Sequence, residues 1–240
     1  MNILLLSNST NHGETYMNHA KEKIAQFLGN RKRVLFIPYA GVSISYDAYT
    51  ETVQAALAEH GIEIQGIHQF DSAQTAIKQA EAIAVGGGNT FRLVQQLYEQ
   101  GVLDLIRTRV HDGCPFVGWS AGSNVAGPTL CTTNDMPIVE PRSFDCLNLV
   151  PFQINPHYTE DTIPNHGGES RKARLEEYIC LNTNDVVCLP EGSWLEVNES
   201  GIAFDGGEGF KVYQHPDQVL DFEKHAASQY FNRFKKFTSN

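Results

Sequence analysis

The chain has 240 residues, of which 41% are hydrophobic, with a formal net charge of −10 at pH 7. That is enough apolar content for one sizeable core, a single α/β domain over residues 1–240, and the acidic balance argues against nucleic acid or an anionic membrane as partner. Apolar runs such as Ile3 to Leu6 and Val34 to Ile37 are strand-length, far short of a membrane span, and the N-terminus lacks the pattern of a signal peptide, so a cytoplasmic protein is expected.

Asn2 to Ser7 reads as the first strand, and the polar loop Asn8 to Glu14 leads to a helix with the apolar stripe Ala20, Ile24, Phe27 and Leu28. The loop carries neither G-x-G-x-x-G nor G-K-[ST], so no nucleotide cofactor is indicated. Val34 to Pro38 is the second strand, and Tyr49, Val53, Ala56 and Leu57 mark one face of a helix ending near Gly61. Ile62 to Ile67 and Ile83 to Val85 are further strands, separated by a short helix over Ser72 to Ala80. This alternation predicts an α/β fold with a mainly parallel, doubly wound sheet, whose ligands bind beyond the carboxyl ends of the strands.

The loop Gly86-Gly-Gly-Asn-Thr90 lies at such an end, before a helix with Phe91, Val94, Leu97 and Tyr98 inward. It fits a tight turn or an anion-binding backbone, but not a dinucleotide fingerprint, because Phe91 stands where the third glycine belongs. Pro115 to Val117 is a short buried strand, and Gly118-Trp-Ser-Ala-Gly122 matches G-x-S-x-G, whose small residues let the chain bend and expose one hydroxyl. Ser120 is the candidate nucleophile, and the N–H groups of Gly88 and Ala121 are the candidate oxyanion donors.

Thr132 to Pro141 reads as irregular and contains Asp135. Leu147 to Ile154 reads as a strand ending at Asn155-Pro-His157, which puts His157 on the rim where Ser120 is expected; His166, in a glycine-rich loop, is its nearest rival as base. No H-x-H or H-E-x-x-H occurs, and five cysteines without a C-x-x-C pair argue against zinc and a disulfide framework, so neither metal nor cofactor is expected and buried thiols are. In Glu169-Ser-Arg-Lys-Ala-Arg174, three cations open a helix where its dipole disfavours them. A bound carboxylate and a solvated basic face paired with Glu176 and Glu177 both fit. Val186 to Leu189 is a strand ending in Pro190-Glu191-Gly192, which brings a second carboxylate to the rim. Trp194 to Val197, Gly201 to Phe204 and Gly209 to Tyr213 read as a small antiparallel meander, and Tyr230, Phe231, Phe234 and Phe237 as a docking C-terminal helix.

GGGNTF, GWSAGSN, TTNDMPI, INPHY, ESRKAR and LPEGSW follow one another in an order that resembles the peptidase E family of aspartyl dipeptidases, serine peptidases of family S51, along nearly the whole chain. The resemblance implies a flavodoxin-like three-layer sandwich similar to class I glutamine amidotransferases. It also implies hydrolysis of dipeptides with an N-terminal aspartate, with Arg171 as ligand for the aspartate side chain. His157 would then serve as base to Ser120. Two carboxylates compete to orient it: Asp135 gives the order Ser, Asp, His, while Glu191 is favoured by its place at a strand end beside His157. A cyanophycinase-like peptidase, an esterase with the same elbow, or an inactive binder of acidic metabolites are the alternatives. The expected partner is a small acidic dipeptide, and the expected state a monomer or weak homodimer.

Overall fold

Short apolar runs bounded by turn residues form the strands of the first half of the chain, and each leads to a helix with one apolar face. The computed structural model describes residues 1–161 and 167–238, so His166 lies outside the described residues. β1 (Ile3–Leu6) leads to α1 (Lys21–Leu28), β2 (Arg33–Ile37) to α2 (Tyr46–Leu57), and β3 (Glu63–Gly66) to α3 (Ala73–Gln79). β4 (Ala82–Val85) leads to α4 (Thr90–Glu99) and α5 (Leu103–His111), and β5 (Phe116–Trp119) to the one-turn α6 (Ala121–Asn124). α5, not expected from the sequence, buries Leu103, Ile106 and Val110. The second half adds β6 (Gln153–Tyr158), α7 (Arg171–Leu181), β7 (Val186–Pro190), β8 (Trp194–Asn198), β9 (Gly201–Asp205), β10 (Gly209–Gln214), β11 (Gln218–Glu223), α8 (Ala227–Phe231) and α9 (Lys235–Thr238).

The main sheet has seven strands in the order β3-β2-β4-β5-β1-β8-β9, the first five parallel and the last two antiparallel. Its central strands β2, β4, β5 and β1 are buried on both faces. Leu4, Leu6, Val34, Phe36, Val117 and Trp119 pack with residues of α1 and α2 on one side. Ile3, Leu5, Leu35, Ile37, Val85 and Phe116 share the other core with α3 to α6. A second sheet, β11-β10-β7-β6, turns its own apolar face, including Ile154, Val187 and Val212, into that second core, and its outer face packs against Leu175 and Ile179 of α7.

The expected C-terminal meander is therefore split. β8 and β9 complete the main sheet, whereas β10 pairs with β7 and β11 of the second. The reason is burial on both sides: Phe210 and Val212 face the shared core and Tyr213 faces α7, which suits an inner strand rather than an edge hairpin. The strand expected from Leu147 begins only at Gln153. Leu147 and Leu149 instead donate their backbone N–H groups to Val125 and Ala126, plugging the core beside α6 without joining a sheet. At the C-terminus Phe231 packs between Phe152 and Phe210, as a docking helix requires. Of the five free cysteines, Cys114, Cys146 and Cys188 are buried, but Cys131 and Cys180 are exposed, contrary to the expectation of buried thiols. Among the described residues, no helix is long and apolar enough to cross a membrane.

Candidate active site

β5 carries the chain to the carboxyl edge of the main sheet, and the next residue, Ser120, has φ 54° and ψ −115°. A non-glycine residue in that region costs on the order of 1–3 kcal/mol and persists only where its surroundings fix it. They do so from both sides. Ser120 N–H donates to Leu6 O at 3.2 Å, and its own carbonyl accepts from the N–H groups of Ser123 and Asn124, each at 2.9 Å. The buried Ser123 hydroxyl is shared between the carbonyls of Leu6 and Gly118. Gly122 permits the bend, since a Cβ there would stand 2.1 Å from Val85 O. The hydroxyl of Ser120 is thus held up, half-buried, at the sheet edge.

His157 reaches it from the second sheet. It lies inside β6 rather than beyond its end, with φ 54°, where the pairing of β6 with β7 shifts register between Asn155 and Tyr158. Its Nε2 is 2.8 Å from Ser120 Oγ, and its Nδ1 is 2.9 Å from Glu191 Oε1, on the residue following β7. With Nδ1–H donating to the carboxylate, Nε2 is left to accept the serine proton. The backbone of His157 is fixed by Ser7, which had no functional place in the sequence beyond closing the first strand. Ser7 Oγ accepts the His157 N–H at 2.8 Å and donates to Leu189 O at 2.8 Å. The available signal was a hydroxyl residue placed directly after an apolar strand at the rim.

Asp135 lies elsewhere. Its Oδ2 accepts from Thr90 N–H at 2.7 Å, from Thr90 Oγ1 at 2.6 Å and from Thr133 Oγ1 at 3.0 Å, at the first turn of α4. Of the two carboxylates weighed above, Glu191 is the one hydrogen-bonded to the imidazole, and Asp135 anchors the helix that follows the glycine loop. In that loop Gly88 has φ 132°, and a Cβ would meet Ala40 O at 2.2 Å, so the backbone passes where no side chain fits. Gly88, Ser120 and His157 line one cleft of about 620 Å³, whose lining includes Val42, Ile44 and Ile138 and no Asp, Glu, Lys or Arg among the described residues. Ala121, whose N–H is the other candidate donor, is the first residue of α6.

Arg171 opens α7, whose N-cap Ser170 accepts from Ala173 N–H at 3.1 Å. It borders a neighbouring cavity of about 470 Å³ with Asn134, Asn155, Thr159 and Arg174, and the carboxylates of Asp161 and Glu169 stand on the same lining. Its Nη1 is buried without a hydrogen-bond partner among the described residues. Burial lowers its pKa from the ordinary guanidinium value, opposed in part by nearby negative charge that includes Glu191. Lys172, by contrast, points to Glu176 at 3.8 Å. The two readings of the basic segment thus divide between its residues: Lys172 belongs to a solvated pair, and Arg171 is a half-buried donor turned to a cavity. Among the described residues the one group of side chains spaced to hold a metal is Glu22, Glu59 and His60, which contains none of these residues.

Residues 3–204 match the family model described as peptidase family S51. The chain belongs to peptidase family S51. Its relatives include peptidase E of Nostoc sp., 49% identical over 225 residues and 93% of each chain. Peptidase E of Shewanella denitrificans is 50% identical over 221 residues, 91% of this chain and 94% of that one. The solved structure of a peptidase from an acI-B1 Actinobacterium superposes with a TM-score of 0.67 at 15% identity, covering 92% of this chain and 96% of its own, and shares the fold. In this S51 peptidase the two sheets thus divide the site, with Ser120 on one and His157 with Glu191 on the other.

Proposed function

We propose that this peptidase is a serine-type dipeptidase that releases aspartate from the N-terminus of Asp-Xaa dipeptides. The observation that carries the reading is the relay from Ser120 Oγ through His157 to Glu191, at 2.8 and 2.9 Å. In it Ser120 attacks the peptide carbonyl while His157 Nε2 takes its proton. The N–H groups of Gly88 and Ala121 receive the oxyanion, and His157 returns the proton to the leaving amine. Water, deprotonated by the same nitrogen, then frees aspartate from the acyl-enzyme. Arg171 supports the acidic specificity, because its half-buried guanidinium group has one buried nitrogen, Nη1, without a partner among the described residues, which a carboxylate would satisfy. Five free thiols support a reducing, cytoplasmic setting.

The test is release of free amino acid from Asp-Leu, Asn-Leu and Glu-Leu by the intact chain, Ser120→Ala and Arg171→Met. Expected are cleavage of Asp-Leu alone, its loss in Ser120→Ala, and a raised KM in Arg171→Met. Undiminished turnover by Ser120→Ala would reject the serine mechanism, and equal turnover of all three substrates would reject the acidic specificity.

A further inference from the structure

Behind the oxyanion side of the cleft lies a buried aromatic cage with a directed hydrogen-bond chain. Trp119 Nε1 is 3.1 Å from Tyr49 Oη, and Tyr49 Oη is 3.1 Å from Gly87 O. An indole N–H can only donate, so the tyrosine oxygen accepts from Trp119 and its own proton goes to the Gly87 carbonyl. The rings leave little freedom: Trp119 stacks on Phe36 with centroids 5.6 Å apart and planes at 7°, and Tyr49 meets Phe36 edge-on at 4.9 Å. A Cβ on Gly86 would come within 2.7 Å of the tyrosine hydroxyl, so the loop makes room for it.

Gly87 C=O and Gly88 N–H belong to one peptide unit, which is trans, so fixing the carbonyl on one side directs the N–H to the other. The N–H groups of Gly86 and Asn89 hold the loop to Ile37 O and Ala40 O at 3.1 and 2.9 Å, and between these two anchors it is Tyr49 that bonds the Gly87 carbonyl, in a run of glycines free to rotate. We propose that Tyr49, backed by Trp119, is a positioning residue that clamps the Gly87–Gly88 peptide with its N–H toward the oxygen that turns negative when Ser120 attacks. The clamp rests on the serine mechanism proposed above. Tyr49 touches no reacting atom; it acts through the peptide plane, so its effect belongs to the transition state and not to substrate binding.

Tyr49→Phe removes the hydroxyl and keeps the ring. With Asp-Leu, kcat is expected to fall about tenfold, less than the 10²–10³ that follows loss of an oxyanion donor itself, with KM little changed and the pH profile unmoved. Affinity for a boronic acid analogue of the aspartyl residue, which bonds to Ser120 and places an oxygen in the same position, is expected to fall by the same factor. Inhibition by free aspartate, which reports a folded site, is expected to hold. Trp119→Phe, removing the donor behind the hydroxyl, is expected to change kcat in the same direction by less. If Tyr49→Phe stays within about twofold of the intact chain in kcat/KM while Ser120→Ala is inactive, the clamp is refuted and the serine mechanism stands. If boronate and aspartate affinities fall together, the tyrosine is merely structural and the clamp is again refuted. Turnover by Ser120→Ala would overturn both.

Discussion

At the scale of single residues the site is a matter of which carboxylate meets the imidazole. Glu191 is more than half exposed, at 53% of its side chain, so it orients His157 in a solvated setting where its charge is screened. Glu191→Gln is therefore expected to lower kcat by about 10- to 100-fold, at the low end of what general acid–base groups contribute, with KM for Asp-Leu nearly constant. Asp135→Asn is expected to act differently. It removes a charge from the first turn of α4 and weakens the bonds to Thr90 and Thr133, costing about 1 kcal/mol of stability, read as a lower urea midpoint, with a smaller change in kcat. Chain order offered Asp135 and a strand-end place beside His157 favoured Glu191, which is the carboxylate the imidazole meets, but the contact itself joins segments distant in the chain. Ser120 was legible for the opposite reason: the strand, the bend and the small neighbours that expose it are all local. Arg171 was half legible, since a cation in a first turn signals a conflict with the helix dipole without saying whether solvent or a ligand resolves it.

At the scale of elements, β1 to β5 and α1 to α4 are visible because apolar runs and periodic apolar faces are local properties, whereas α5 went unread although it buries Leu103, Ile106 and Val110. Sheet membership is not local. β8, β9 and β10 carry similar alternating patterns, and only the packing of Phe210, Val212 and Tyr213 decides that β10 leaves the main sheet for the second. Asn155-Pro-His157 reads as the end of a strand, with His157 just past it, whereas a register shift and a positive φ at His157 let β6 continue through it to Tyr158. α7 links an element to the site through its cap. Ser170→Ala, which loses the bond from Ala173 N–H, is expected to cost about 1 kcal/mol, or roughly 2 to 4 °C in Tm. Because Arg171 is the first helical residue, the same variant is expected to raise KM for Asp-Leu with kcat preserved, measured by initial rates.

At the scale of the whole molecule, one buried group ties stability to pH. His19 has a side chain only 7% exposed, with Nδ1 3.9 Å from Glu14 Oε2, beyond hydrogen-bond distance. Burial lowers its pKa below the ordinary 6.5, outweighing the opposite pull of Glu14 and Glu191. The unfolded chain thus takes up a proton at a pH where the folded chain still refuses it. Stability from this group is complete above 6.5, declines as pH falls below that value, and levels off once the lowered folded value is passed. His19→Asn is expected to lessen the drop in urea midpoint between about pH 7.5 and about pH 5, compared with the intact chain under the same conditions.

Ser120 rides on one sheet and its two partners on another, with the Ser7 hydroxyl riveting β1 to β6 and β7. In the serine mechanism proposed above, turnover is for that reason a vernier laid across the joint between the two sheets. A slip too small to alter either sheet parts a 2.8 Å contact between them, and activity is expected to fall before any spectroscopic sign of melting.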